Sequence, residues 1–236
     1  MTNQFLCHNR APKALKLLGG VALSVLMSLA PKNAEAAPQG ATMAAGSAEF
    51  AFNGRVTTVN QSTNRAVIDW QSFDVAADES VEFKLPSSSG STLNRIHSPT
   101  TTISGSIISN GAVYFTNPNG LVFDATSRVT ANGFFAATQA IDATKFMNST
   151  ITPTSLTNLG SSEIRLDGSI AAPSITALGG TVSVYGSIDS PQGNMLLSST
   201  NLTTIGSTAV IRADGGVNGN GGRVIIWSDN HTDYLG

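Results

Sequence analysis

The chain has 236 residues, only 12% of them charged against 41% apolar, and a formal net charge of −2. That length fits one ordinary or elongated domain, and the apolar fraction excludes disorder by composition. The 23 glycines, with abundant Ser, Thr and Asn, argue against a helical protein and suit stacked short strands.

Residues 1–36 read as a secretory signal peptide. Arg10, Lys13 and Lys16 give a positive start, and Leu17 to Ala30 is an apolar run too short to span a bilayer comfortably. Ala34-Glu35-Ala36 fits the small-x-small rule, which places cleavage between Ala36 and Ala37. Removal takes four of the 13 basic residues and one of the 15 acidic ones, so the mature chain carries −5. No basic run survives to favour nucleic acid or an anionic membrane surface, and no membrane span is expected in the mature chain. The only cysteine, Cys7, leaves with the leader, so the mature chain has no disulfide.

Ala37 to Phe50 reads as an extended entry segment or a capping strand. Asn53-Gly54 turns the chain into Arg55–Val59, and Ala66–Trp70 and Val81–Leu85 are further strands. In the latter, Val81, Phe83 and Leu85 face one way and Glu82 and Lys84 the other, the alternation of a half-buried strand. Pro86 ends it, and Ser87–Ser91 form a polar loop.

The stretch from Ser104 to Ala140 alternates short apolar runs with turns: Ile107-Ile108, Val113–Phe115, Leu121–Phe123 and Phe134-Phe135. Asn-Gly pairs at 110–111, 119–120 and 132–133 are predicted to bend the chain at positive φ. At the centre is Asn117-Pro118-Asn119-Gly120. Pro118 presets a turn and removes a ladder donor, Asn117 and Asn119 can bond the local backbone, and Gly120 can take a left-handed conformation. Asp142 is predicted to cap one helical turn through Phe146-Met147, and Pro153 precedes a return to strands.

The second half carries a loose repeat. Asp167-Gly168-Ser169-Ile170, Tyr185-Gly186-Ser187-Ile188 and Ile205-Gly206-Ser207-Thr208 recur at a nearly even spacing, and Ser104-Gly105-Ser106-Ile107 is an earlier copy. Alternating strands accompany them at Glu163–Leu166, Thr181–Val184 and Ala209–Arg212. A period of about 20 residues falls in the solenoid range. The pattern predicts a parallel β-helix of three short strands per rung, with the strands before Asn60 as a cap.

Three segments, in order, resemble the amino-terminal secretion domain of filamentous-haemagglutinin-like exoproteins, the passengers of two-partner secretion. Gly111–Thr116 followed by Asn117–Leu121 is similar to that family's strand and N-P-N-G turn. Asp69-Trp70-Gln71-Ser72-Phe73-Asp74-Val75 is similar to its N-W-x-x-F-x-(Ile/Val) segment, and Leu93-Asn94-Arg95-Ile96 to its (Leu/Phe)-N-R-(Val/Ile) segment. The resemblance covers roughly residues 38–146 and weakens after them.

It implies an all-β, right-handed parallel β-helix with an amino-terminal cap and small extra-helical β-hairpins. Residues 37–160 are then the secretion domain and 161–236 further rungs of a truncated or split exoprotein. The implied partner is an outer-membrane β-barrel transporter with periplasmic POTRA domains, which a chain without disulfides is free to thread. Asn117, Pro118, Asn119, Gly120, Asn94 and Arg95 are candidates for transporter recognition, with a tight structural turn as the other reading of the first four. Arg95 has two readings, an ion pair with an acidic turn residue or contact with the partner. Secretion to the surface of a Gram-negative bacterium, and a role as adhesin or haemagglutinin with a host-cell ligand, follow from the same resemblance. A haemolysin or contact-dependent toxin stalk is an alternative.

A carbohydrate-active β-helix enzyme is the other class. It needs two or three carboxylates converging on one sheet. Asp124, Asp142, Asp167, Asp189 and Asp214 occur singly, as turn acids commonly do, and His97 and His231 have no metal-ligand spacing. The residue Asp214 opens a Gly-rich loop running to Gly222, with one carboxylate and no repeat. The expectation is a non-enzymatic protein without catalytic residues, metal or cofactor.

Overall fold

A computed structural model describes residues 37–149, 156, 159–215 and 219–236. The expected leader, Ala36 of the cleavage site and Pro153 lie outside the described residues.

The chain opens with β1 (Thr42–Ala45) and β2 (Ala48–Asn53), and β3 (Val56–Gln61) returns antiparallel along β2. Gly54 makes that reversal at φ +57°, a conformation that costs glycine little. The first full rung is β4 (Arg65–Trp70), a bridge at Val75, and β5 (Ser80–Lys84). Next come β6 (Ser91–Ile96), β7 (Thr101–Ile103) and β8 (Ser106–Ser109), then β9 (Ala112–Thr116), β10 (Leu121–Phe123) and β11 (Arg128–Thr130). The fourth rung is β12 (Gly133–Ala137), helix α1 (Ala143–Met147), β13 (Glu163–Leu166) and β14 (Ser169–Ala171). Above it lie β15 (Ser174–Val184) with β16 (Ser187–Asp189), β17 (Asn194–Ile205) with β18 (Val210–Arg212), and β19 (Arg223–Ser228) with β20 (His231–Tyr234).

These strands stack into the three faces of a parallel β-helix. One face is β4-β6-β9-β12 and the first halves of β15 and β17, then β19; the second is β7-β10-β13, the second halves of β15 and β17, then β20; the third runs from β3 to β18. Pro99 and Pro118 lack ladder donors and stand at the corner between the first two faces, so the lower rungs break there. In β15 that corner is Gly179-Gly180, and the strand continues round it. On the first face the register climbs from Arg65 to Ser91, Ala112 and Gly133 in fairly even steps. The next step, Phe134 to Ile175, is much longer because it contains α1. The steps after it, Ile175 to Met195 and Met195 to Val224, are shorter and again unequal.

The interior carries an aromatic stack. Trp70 meets Phe73 at 5.1 Å, Phe73 meets Phe115 at 5.3 Å, and Phe123 meets Phe134 at 5.2 Å, each ring at most 2% exposed. Burying each contributes about 1.5–3 kcal/mol. Phe50 of the cap packs edge-on against Trp70 at 5.6 Å and closes the end of the stack. Above it the core turns aliphatic, with Ile164, Leu166, Val182, Val184 and Ile188 buried.

The expected strands are mostly found, with corrections. The Ser104–Ala140 stretch contains one more strand, β11, whose single apolar residue, Val129, is too sparse a signal. Among the three Asn-Gly pairs there, only Gly120 has positive φ. Gly111 is needed for space instead, because a Cβ would lie 2.5 Å from Leu85 Cδ2 and 2.7 Å from the Gly90 carbonyl oxygen. The first two Gly-Ser copies stack in register, Ser169 on Ser187, but Ser187 then pairs with Val210, so the third copy turns a longer corner. Among the described residues antiparallel ladders are confined to the cap, and the long excursion carries α1. Asp142 caps that helix as expected, accepting from the Lys145 amide at 2.9 Å. No helix among the described residues is long and apolar enough to cross a membrane.

The Gly-Ser corners have a steric reason. A Cβ on Gly186 would lie 2.0 Å from the Gly168 carbonyl oxygen of the rung below. Gly186→Ala is expected to lower stability by about 1–3 kcal/mol in urea unfolding. Ser207→Ala, at an exposed corner, should change it by less than about 0.5 kcal/mol.

Candidate functional site

The Asn117–Gly120 corner joins β9 to β10 on the third rung. Asn117 is fully buried, and its side chain is completely used. Its Nδ2 donates to Pro99 O at 2.8 Å, Thr101 Oγ1 at 2.9 Å and, longer, Ser98 O at 3.4 Å, all on the rung below. Its Oδ1 accepts from the Asn119 amide at 2.9 Å, the local bond that shapes an Asx turn. Gly120 closes the turn at φ +112°, its amide donating to Asn117 O at 3.1 Å. Pro118 and Asn119 face solvent. Asn119 Nδ2 donates to Ser98 O at 2.9 Å, and Pro118 O accepts from Ser162 Oγ of the fourth rung at 2.7 Å. The corner is therefore fastened from below and from above.

Asn94 and Arg95 are neighbours in β6 but point to opposite sides of the sheet. Asn94 is fully buried: its Oδ1 accepts from Trp70 Nε1 at 3.0 Å, and its Nδ2 donates to Tyr114 O at 3.1 Å. It satisfies the core indole from one rung while holding the backbone of the next. Arg95 lies outside, its side chain 24% exposed, in a two-pronged pair with Asp69: Nε to Oδ1 and Nη2 to Oδ2, both 2.7 Å. His97 Nε2 lies 3.3 Å from the same Oδ1. Burial works against ionisation of Asp69, but the bonds and charges of Arg95 and His97 outweigh it and hold its carboxyl below the usual value. The acidic partner of Arg95 is thus a strand residue, not the expected turn acid. Asp69 and Ser98 were missed as site residues because their one-rung spacing from Arg95 and Asn117 carries meaning only once the register is known.

Three of the candidate carboxylates are each held by local donors. Asp124 accepts from Ser104 Oγ, from Thr126 N at 2.9 Å and from Thr126 Oγ1 at 2.8 Å. Burial opposes its ionisation, and the donors of Ser104, Thr126 and Ser127 outweigh it and lower its pKa. Asp142 is the helix cap, and Asp167 accepts from Arg165 Nε at 2.7 Å. Among the described residues no three of His, Cys, Asp and Glu come together as a metal group.

The geometry agrees with comparisons to known proteins. A family model described as the TPS secretion domain matches residues 34–235. A heme/hemopexin-binding protein of Haemophilus influenzae strain Rd is 34% identical over 106 residues, 44% of this chain and 12% of that protein. Another heme/hemopexin-binding protein from Haemophilus influenzae is 33% identical over 86 residues, 36% of this chain and 9% of that protein. The matches thus span about a tenth of these curated relatives. The crystal structure of the HMW1 secretion domain from Haemophilus influenzae superposes with a TM-score of 0.65 at 20% identity, covering 83% of this chain and 64% of that one, a likeness of fold.

Unfolding measurements can test both the corner and the Asp69 pair. Asn117→Ala leaves the buried Thr101 hydroxyl without that donor, at about 1–3 kcal/mol, and also loses the part-buried bond to Pro99 O, so it should lower the urea midpoint far more than Asn119→Ala, which loses a bond of about 0.5–1.5 kcal/mol. Asp69 has a folded pKa below its ordinary 3.8, so its contribution is complete above that value and is lost as pH falls through the folded pKa. Urea midpoints measured from pH 5 downward should fall less steeply in Asp69→Asn than in the parent.

Proposed function

The chain belongs to the TPS secretion domain family, and on that footing we propose that its capped coil is the part of an exported exoprotein which a dedicated outer-membrane transporter admits. Residues 37–160, the cap and first rungs, carry the targeting, and residues 161–236 extend the coil. The leader delivers the chain to the periplasm, where POTRA domains of the transporter engage it. The chain then passes outward and folds at the surface, each rung stacking on the one before, with the cap as the first template. No nucleotide is needed for this step, because a rung that has stacked outside opposes backsliding.

The observation that carries the division of roles is the full burial of Asn94 and Asn117. In the folded domain these side chains have no surface to offer, so they serve export by making rungs stack, as does Gly120. Pro118, Asn119 and Arg95 reach solvent and so stay available to the transporter even where the rungs around them have stacked. Strand addition to an exposed edge would supply the rest of that contact.

An adhesin or haemagglutinin with a host-cell ligand is the role proposed for the whole protein. Heme and hemopexin binding are named for proteins of which the shared part is about a tenth. The protein is proposed to reside outside the cell or on the surface of a Gram-negative bacterium.

Co-expression with the candidate transporter tests this reading, with culture medium and periplasm compared by immunoblot. The chain should reach the medium only when the transporter is present. Asn119→Ala should remain periplasmic while still folding by circular dichroism. Wild-type chain that stays in the periplasm with or without the transporter contradicts the export reading, and Asn119→Ala secreted at wild-type level removes Asn119 from the contact.

A further inference from the structure

Rungs of a solenoid normally touch only their neighbours. Helix α1 does not obey this. It follows β12 on the fourth rung, yet it packs on the outer face of the coil against β4 and β1, at the first. Arg65, the first residue of β4, donates from Nη1 to the Phe146 carbonyl at 2.7 Å, across 81 residues of sequence. Its guanidinium also lies 5.5 Å from the centre of the Phe146 ring.

Under α1 a second apolar cluster runs up the outside of the coil. Val67, Leu93, Tyr114 and Phe135 are register partners on four successive rungs. The Phe146 ring, 1% exposed, stands edge-on to Tyr114 at 5.1 Å, and Tyr114 stacks on Phe135 at 4.9 Å. Ile141 and Leu159 join the same cluster, where Thr138 Oγ1 donates to Leu159 O at 2.6 Å. A five-residue helix is far too short to persist by itself, so α1 exists only where this surface and Arg65 hold it. That surface is complete only when four rungs are stacked.

We propose that α1 is a staple that makes the first four rungs a single cooperative unit, closed once the chain through Phe146 is free to fold, whereas the later rungs add and open individually. Without it the coil is a one-dimensional stack whose rungs open in sequence from an end. With it, opening the first rung requires releasing α1, which disturbs the second and third rungs through Leu93 and Tyr114. The staple depends on packing and on the Arg65 contacts, and is independent of the export reading.

Native-state hydrogen exchange on the full chain, read by mass spectrometry, tests it. In the wild type, amides of β4, β6, β9 and β12 should share one opening rate, distinct from those of β16 and β18. Arg65→Gln should accelerate exchange in β4, β6 and β9 together by at least tenfold and leave β16 unchanged. Phe146→Leu, which keeps an apolar side chain at the site, should do so more weakly. Loss of protection confined to α1 in both variants, or protection graded rung by rung across β4 to β12 in the wild type, overturns the proposal.

Discussion

A rung of this coil satisfies neither its backbone nor its inward side chains until another rung lies on it. Fixing each residue costs about 1–2 kcal/mol of backbone entropy. That cost is offset only when ladder bonds and burial form together, so a rung needs a template. The cap supplies the first one. Its antiparallel strands occupy the edges of β3 and β4, and Phe50 closes the aromatic stack on Trp70. Every later rung inherits its template from the one before.

The polar side chains that mark the family pattern are the connections between rungs. Asn94 joins the Trp70 indole on one rung to the Tyr114 carbonyl on another, and Asn117 ties its own turn to Pro99 and Thr101. On the outside, Asp69 and Arg95 couple the same two rungs as Trp70 and Asn94. A stack of similar apolar strands has little to prevent it slipping along the chain, and a buried amide with fixed partners penalises every wrong register. The motif residues thus belong to the fold before they belong to any partner, which explains why two of them are wholly enclosed.

Much of this was legible in the sequence. The alternation of Val81, Phe83 and Leu85, the Asp142 cap and the Asn117–Gly120 turn each have a local cause, and all three are found. The Gly-Ser copies revealed rungs, though their third copy is displaced because corners vary in length. What escaped was non-local. Rungs as unequal as Ile175 to Met195 and Phe134 to Ile175 give no fixed period, so the pairing of Asp69 with Arg95 had no signature. The requirement for glycine at Gly111 comes from Leu85 and Gly90 on the preceding rung, not from its own turn. The docking of α1 on Arg65 joins the fourth rung to the first and leaves no mark in either segment alone.

Asn94 and Asn117, on this account, serve export through the stability of the coil. The most direct measurement is the secreted fraction plotted against unfolding free energy for a set of variants. The set pairs Asn94→Ala and Asn117→Ala with core and corner changes such as Phe123→Leu, Val182→Ala and Gly186→Ala. One common curve through all five is the result the account predicts. Asparagine variants that fall well below a curve defined by the other three would contradict it, and would show that the transporter reads those side chains directly before the coil closes over them.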